Sequence, residues 1–123
     1  MEFLEDLPRN CPPSNARIPK MEVYYRLTDD FPPTERDFLC YKTLYPGKCF
    51  PDECIAKAIS LCGTIKQCKH LQKYPTLRNK IITKIVLNEK SGVILKTSRE
   101  SHYSWWRRQS FDPIQFCESV NNA

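Results

Sequence analysis

Glycine is scarce in this chain: only three glycines occur among 123 residues, and none belongs to a glycine-rich loop. The Walker and Rossmann phosphate-binding loops need several closely spaced glycines, because their backbone must approach the phosphate without a side chain in the way. Nucleotide binding through either loop is therefore excluded. The sequence also lacks an apolar run near the roughly 18 residues that a membrane span requires, which predicts a soluble protein with no membrane partner.

Closely spaced cysteine pairs are also missing, although the chain has seven cysteines. Zinc sites usually place two ligands two to four residues apart, whereas the separations from Cys49 to Cys54, Cys62 and Cys68 in turn are five, eight and six. We therefore expect no metal site and no cofactor, and we interpret the cysteines as small buried hydrophobes. Their odd number, with no apolar leader before them, predicts reduced thiols in the cytoplasm.

Length and composition indicate a single domain with a hydrophobic core, because 41% of the 123 residues are hydrophobic. The 19 basic and 14 acidic residues give a net charge of +5. Acidic residues are enriched among the first 53 residues, whereas residues 57–108 are strongly basic. The folded domain could therefore present one positive face to an anionic partner.

The first half of the chain predicts an arm, a strand and a helix. Residues 1–20 contain four prolines and no apolar periodicity, which predicts an extended, irregular N-terminal arm. Residues 21–27, Met-Glu-Val-Tyr-Tyr-Arg-Leu, are rich in strand-forming types and predict the first strand. Thr34 is a good N-cap and predicts a short helix over residues 34–41.

Two interpretations compete over residues 52–74. Their apolar residues could line one long helix, but Gly63 interrupts the pattern, and Thr64 followed by Gln67 is typical of a capping box. We prefer a short helical turn, a brief buried strand over residues 58–62, and a new helix that begins at Thr64.

The second half of the chain predicts further strands. Residues 80–87 alternate well enough for a strand, residues 88–92 predict a turn, and residues 93–97 are expected to return as the second strand of a β-hairpin. Another strand is predicted over residues 103–107, and residues 112–120 could form a last turn or an edge strand. The whole pattern predicts an α+β fold: a small, mainly antiparallel sheet with two or three short helices.

Residues 101–109, Ser-His-Tyr-Ser-Trp-Trp-Arg-Arg-Gln, concentrate the recognition chemistry of the chain. Paired tryptophans beside paired arginines suit single-stranded nucleic acid, since bases stack on indole rings and cations bind phosphates. Neighbouring side chains on a strand point to opposite faces, so only one of Trp105 and Trp106 can join a given surface, and the other is expected in the core. Arg107 and Arg108 divide between the two faces in the same way.

Two further residues are candidates for a ligand cleft. His102 lies beside three hydroxyl-bearing residues, although acid–base chemistry needs a second group that the spacing does not identify. Arg26 follows Tyr25 on the first predicted strand. It either faces solvent or holds a phosphate or carboxylate through its planar guanidinium group.

A set of short motifs is spread over nearly the whole chain: Leu7-Pro8, Cys11-Pro12-Pro13, Tyr25-Arg26, Pro32-Pro33-Thr34, Asp37-Phe38, Glu53-Cys54 with Ala56, His102, Trp105-Trp106 and Phe111-Asp112. Together they resemble a group of small bacterial proteins that are mostly uncharacterised. This resemblance implies one intact domain and brings no activity with it.

A second resemblance involves Arg26 on an early strand and Ile59-Ser60-Leu61 on a strand that precedes a helix. This arrangement resembles the ADP-ribosyltransferase-like folds. The resemblance implies that Arg26 and Ser60 belong to one cleft, and it leaves the catalytic glutamate of those folds unassigned in this chain.

Two hypotheses follow, and both leave open whether the chain is an enzyme. The first is a cytosolic binding module whose basic, aromatic C-terminal half engages nucleic acid or an acidic protein surface. The alternative is a small ADP-ribosyltransferase-like or nucleotide-ligand-binding domain whose cleft is built from Arg26, Ser60 and His102, with Tyr25 beside them. A homodimer formed through exposed apolar residues is a third option.

Overall fold

The computed structural model describes residues 1–98 and 100–120, in which six strands and three short helices form. The strands are β1 Glu22–Thr28, β2 Ile59–Cys62, β3 Ile81–Leu87, β4 Gly92–Lys96, β5 His102–Arg107 and β6 Cys117–Ser119. The helices are α1 Tyr41–Leu44, α2 Glu53–Ala56 and α3 Ile65–Leu71, and 3₁₀ turns cover Glu35–Phe38 and Pro113–Phe116. The paired strands are all antiparallel, in the order β4-β5-β2-β1-β3-β6. The predicted α+β fold with an antiparallel sheet is confirmed.

Local signals predicted most elements well. The Thr64 hydroxyl accepts a hydrogen bond from the Gln67 N–H at 3.1 Å at the start of α3, which confirms the split interpretation of residues 52–74. The helix predicted over residues 34–41 is wrong in extent. It is divided into a 3₁₀ turn and α1, because Leu39 and Cys40 both have extended backbones. The C-terminal tail forms a turn and then an edge strand.

The predicted hairpin of β3 and β4 is wrong, because β4 pairs with β5 while β3 pairs with β1 and β6. The turn itself is present, closed by a hydrogen bond from the Ser91 N–H to the Asn88 carbonyl at 3.1 Å. In a flat sheet of this order β3 and β4 would lie about 19 Å apart, at about 4.8 Å for each strand spacing. A turn of this length, closed by a hydrogen bond, cannot span that distance. The sheet must therefore fold over on itself.

The sheet folds over between β1 and β2. Only Tyr25 and Cys62 are paired across this boundary, whereas β1 and β3 are paired along seven residues. The two halves enclose the main core, in which Ile85 of β3 packs with Ile94 of β4 and Trp105 of β5. We call the boundary the β1–β2 seam.

The N-terminal arm lies against the folded domain. Phe3 forms a β-bridge with Arg108, Arg17 forms one with Ile94, and Cys11 is disulfide-bonded to Cys54 of α2. The expectation that every cysteine is a reduced thiol is therefore wrong. The two bonded cysteines are 43 residues apart in sequence, and only the path of the arm brings them together.

The described residues offer neither a membrane-spanning helix nor a cluster of metal ligands. Across residues 1–98 and 100–120, no helix is long and apolar enough to cross a bilayer. The same residues contain no group of three histidine, cysteine, aspartate or glutamate side chains placed to hold a metal ion.

Replacing both Cys11 and Cys54 by serine is expected to lower the free energy of unfolding by about 2–4 kcal/mol, because the disulfide restricts the unfolded chain across a long loop. Denaturant unfolding without a reductant measures this loss. Cys49→Ser is the matched control, since Cys49 is an exposed free thiol. A double variant as stable as the control would contradict the bond.

Candidate functional site

A cleft of about 570 Å³ opens at the β1–β2 seam. This volume lies within the roughly 300–1,000 Å³ typical of small-molecule sites. The strands contribute six residues to its lining: Arg26, Leu27, Ser60, Leu61, Cys62 and His102. One wall comes from α1 and the residues after it, and the other comes from the end of α3 and the segment that follows.

Arg26 bridges the seam where the strand ladder stops. Its Nε donates to the Asp37 carbonyl at 2.6 Å, and its Nη1 donates to the Ser60 carbonyl at 2.5 Å. No described residue accepts a hydrogen bond from Nη2, and no described carboxylate forms an ion pair with Arg26. Among the described residues, every fully buried polar side-chain atom has a hydrogen-bond partner. Because Nη2 has none, it is not fully buried and is open to the cleft that Arg26 lines.

Placing Arg26 here costs free energy, because its charged group loses contact with water. Desolvation by the surrounding protein lowers the pKa of the guanidinium group. The charges of Asp37 and Asp29 act on Arg26 only from a distance, since neither carboxylate forms an ion pair with it. An anion bound at Nη2 would therefore offset that cost through direct contact.

Ser60 and His102 lie on neighbouring strands beside Arg26. Because Ser60 pairs with Ser104 and Cys62 pairs with His102, the side chains of Ser60 and His102 are on one face as diagonal neighbours, roughly 7–8 Å apart. The Ser60 hydroxyl has no hydrogen-bond partner within the described chain, so the same reasoning leaves it open to the cleft.

A chain of hydrogen bonds through Nδ1 holds the ring of His102 in place. Its Nδ1 lies 2.8 Å from the Thr97 hydroxyl, which lies 3.0 Å from the Ser104 hydroxyl. These contacts leave Nε2 as the nitrogen that can meet a ligand. Burial lowers the pKa of His102, so the ring is neutral at pH 7 and Nε2 can donate or accept one hydrogen bond.

The lining of the cleft carries more positive than negative charge. Both of its carboxylates are engaged: Asp29 pairs with Lys80 at 2.7 Å, and Asp37 accepts hydrogen bonds from two backbone N–H groups at 2.9 Å. Within the described chain, Arg36 and Lys48 form no ion pair. The four cations of the lining are Arg26, Arg36, Lys48 and Lys80. The cleft is therefore suited to an anion.

Aromatic rings form the wall next to α1. Tyr41 and Tyr45 lie one helical turn apart, with ring centroids separated by 6.4 Å and planes at 28°. They are 48% and 53% exposed, and Phe50 lines the same wall with Lys48 Nζ 5.7 Å from its ring centroid. Exposed rings beside cations offer a stacking surface to a flat, negatively charged ligand.

Of the predicted cleft residues, Arg26, Ser60 and His102 line this one cleft, whereas Tyr25 does not. Tyr25 packs instead in the small cluster that α3 forms with Cys62, Cys68 and Ile82. Tyr25 is paired with Cys62 across the seam, so its side chain is on the Cys62 side of the sheet, where the α3 cluster covers it.

The expectation that one tryptophan of residues 101–109 stays at the surface is wrong, because Trp105 and Trp106 are both 0% exposed. Each indole N–H donates to a carbonyl at 3.0 Å, Trp105 to Ser91 and Trp106 to Cys54. The folded sheet encloses Trp105, and the N-terminal arm together with α2 covers Trp106. Neither ring can stack on a base in this fold.

The two arginines that follow have different surroundings. Arg107 is buried: it donates to the carbonyls of Phe38 and Phe111 and forms an ion pair with Glu35. It therefore joins β5 to the first 3₁₀ turn and cannot meet a partner. Arg108 is half-buried and lines a separate hollow of about 360 Å³, away from Arg26 and His102.

Sequence reasoning missed the aromatic wall and the support of His102. The spacing of Tyr41 and Tyr45 is typical of one helix face, and such a pair is usually assigned to the core. The lysine at residue 48 was the only local sign that this face lies beside a charged ligand site. No sequence signal connects Thr97 to His102, because the contact depends on how β4 pairs with β5.

The lowered pKa of His102 predicts a pH-dependent contribution to stability. Because the folded value lies below the ordinary value of about 6.5, the unfolded chain binds the proton more readily. The contribution is present above about pH 6.5 and is lost as pH falls through the folded pKa. Denaturant unfolding at pH 7 and pH 5 should therefore show a smaller loss for His102→Gln than for the wild type.

His70→Gln is the control for this experiment, because His70 is exposed on α3 and should leave the wild-type pH dependence unchanged. Equal losses in the wild type and both variants would contradict the role given to His102.

Comparison with protein-family models, with curated proteins and with solved structures gives no match for this chain. The two resemblances noted from the sequence stay predictions, and the cleft is interpreted from its own residues.

Proposed function

We propose that this chain binds a small nucleotide-type ligand, meaning a molecule with both a phosphate group and a flat ring, in the cleft at the β1–β2 seam. The observation that carries the proposal is Arg26. Its guanidinium group is held in place by two backbone carbonyls and presents Nη2 to the cleft, and it forms no ion pair with a described carboxylate. A preorganised arginine of this kind is well suited to phosphate, which accepts charge-assisted hydrogen bonds.

The other groups of the cleft fit the remaining parts of such a ligand. Arg36 and Lys48 add positive charge for the phosphate, and the Tyr41 and Tyr45 rings offer stacking faces for a base. The Ser60 hydroxyl and His102 Nε2 supply neutral hydrogen-bonding groups. In this arrangement side chains hold the phosphate, which agrees with the lack of a glycine-rich loop.

The carboxylates of the cleft favour binding over ADP-ribosyl transfer. No glutamate is found in the lining among the described residues, and both aspartates there are already engaged by Lys80 or by backbone N–H groups. The catalytic glutamate that the sequence resemblance leaves unassigned therefore has no candidate in the cleft lining.

Adding ADP is expected to raise the thermal midpoint of the wild type, and isothermal titration should show binding that inorganic phosphate and adenosine reproduce only weakly. Arg26→Gln removes a charge-assisted hydrogen bond of about 1.5–3 kcal/mol, which corresponds to a loss of affinity of roughly 10- to 150-fold. Tyr41→Ala removes a stacking face from an exposed position and should weaken binding by about tenfold or more without affecting the fold.

Arg9→Gln is the matched control for Arg26→Gln, since Arg9 is an exposed arginine of the N-terminal arm and outside the cleft. It should bind ADP like the wild type. Absence of ADP binding, or equal affinity in the wild type, Arg26→Gln and Tyr41→Ala proteins, would rule out the proposal.

A further inference from the structure

We infer that the nucleotide in the cleft is the end of a single-stranded nucleic acid whose backbone continues along the outer side of α3. This inference rests on the proposed function and names the class of molecule that delivers the nucleotide. The surface concerned, here called the α3 basic surface, consists of Lys66, Lys69, Lys73, Tyr74 and Arg78.

The segment that contains α3 has positively charged side chains and no negatively charged ones. From Cys54 to Asn88 the sequence contains six lysines and one arginine and no aspartate or glutamate. The four cations of the α3 basic surface are all exposed, and none forms an ion pair with a residue of the described chain. Like charges close together on a helix repel each other, so a polyanion is the partner that this arrangement suits.

The cations of this surface lie on α3 and on the turn that follows it. Lys66 and Lys69 are three residues apart, the spacing of one face of α3, while Cys68 on the opposite side is buried against Cys62 and Ile82. Lys73 follows in the turn after the helix, where its N–H donates to the His70 carbonyl at 3.2 Å. Exposed cations that follow one another in this way can contact successive phosphates of one strand.

The C-terminal end of the α3 basic surface borders the cleft. Leu71, the last residue of α3, and Leu77, next to Arg78 in sequence, both line the cleft. A strand whose terminal nucleotide meets Arg26 would therefore leave the cleft beside the α3 basic surface.

An exposed aromatic ring favours a single strand over a duplex. Tyr74 is 55% exposed and follows Lys73 directly. Unpaired bases stack on such rings while cations beside them bind phosphate, whereas the bases of a duplex are already stacked on each other.

A purely structural reason explains only part of this surface. Cations near the C-terminus of a helix are stabilised by its dipole, and Lys69 and Lys73 are in that position. Lys66 lies in the first turn of α3, where a cation is unfavourable, and Arg78 lies beyond the helix. A ligand outside the cleft explains all four cations.

The test compares a labelled ten-nucleotide single strand of adenylates with AMP, using fluorescence anisotropy for the first and calorimetry for the second, at several salt concentrations. The wild type is expected to bind the oligonucleotide at least tenfold more tightly than AMP at low salt.

The triple variant Lys66→Gln, Lys69→Gln, Lys73→Gln should lose at least tenfold in oligonucleotide affinity while its affinity for AMP stays unchanged. Its log–log salt slope should fall by about 2, since each contacted phosphate of a single strand contributes about 0.7.

A second triple variant, Lys20→Gln, Lys90→Gln, Lys96→Gln, removes the same charge from exposed positions elsewhere and should retain the oligonucleotide affinity of the wild type. Equal losses of oligonucleotide affinity in the two triple variants would overturn the inference. It would also be overturned if the wild type bound the oligonucleotide no more tightly than AMP, or no more tightly than an anionic phospholipid vesicle. Binding of AMP alone tests the proposed function separately, because it does not depend on the lysines.

Discussion

The separation of β1 from β2 is the constraint on which the rest of this structure depends. Beyond the single pair of Tyr25 and Cys62 the two strands diverge, and the backbone groups on their inner edges need other partners. Arg26 donates one hydrogen bond to the Ser60 carbonyl of β2, which replaces part of a missing strand ladder, and another to the Asp37 carbonyl of the first 3₁₀ turn. The same separation lets the sheet fold over its core and leaves the cleft, so one arginine serves both the fold and the proposed ligand site.

Residues with strong recognition chemistry are divided between the core and the surface by this fold. Trp105, Trp106 and Arg107 are buried and fully hydrogen-bonded, which is the condition under which large polar groups can be placed inside a protein. The exposed rings that can meet a partner are instead tyrosines, among them Tyr41 of α1 and Tyr74 after α3. Composition alone suggests a binding surface near the C-terminus, whereas the surface that we propose lies at the cleft and α3.

The parts of the fold that depend on neighbouring residues could be predicted. Thr64 caps α3 because its hydroxyl needs only the N–H three residues on, and β1 forms where strand-forming residues cluster. The turn after β3 was also predicted, but its partner strands were not, because a turn closed by Ser91 and Asn88 is compatible with strands of one sheet or of two facing halves. The Cys11–Cys54 bond was missed for the same reason: the path of the arm depends on distant contacts.

For the cleft, the sequence by itself determined the chemical character of the candidate residues: a guanidinium at Arg26, a hydroxyl at Ser60 and an imidazole at His102. It also determined the positive charge of the region between Cys54 and Asn88. Only the tertiary structure decided that these three residues share one cleft, that the tryptophans do not reach the surface, and that His102 is held by Thr97. The physical reason is that residue type and spacing act over a few neighbouring positions, whereas burial, counter-ions and hydrogen-bond partners depend on strands far apart in the chain.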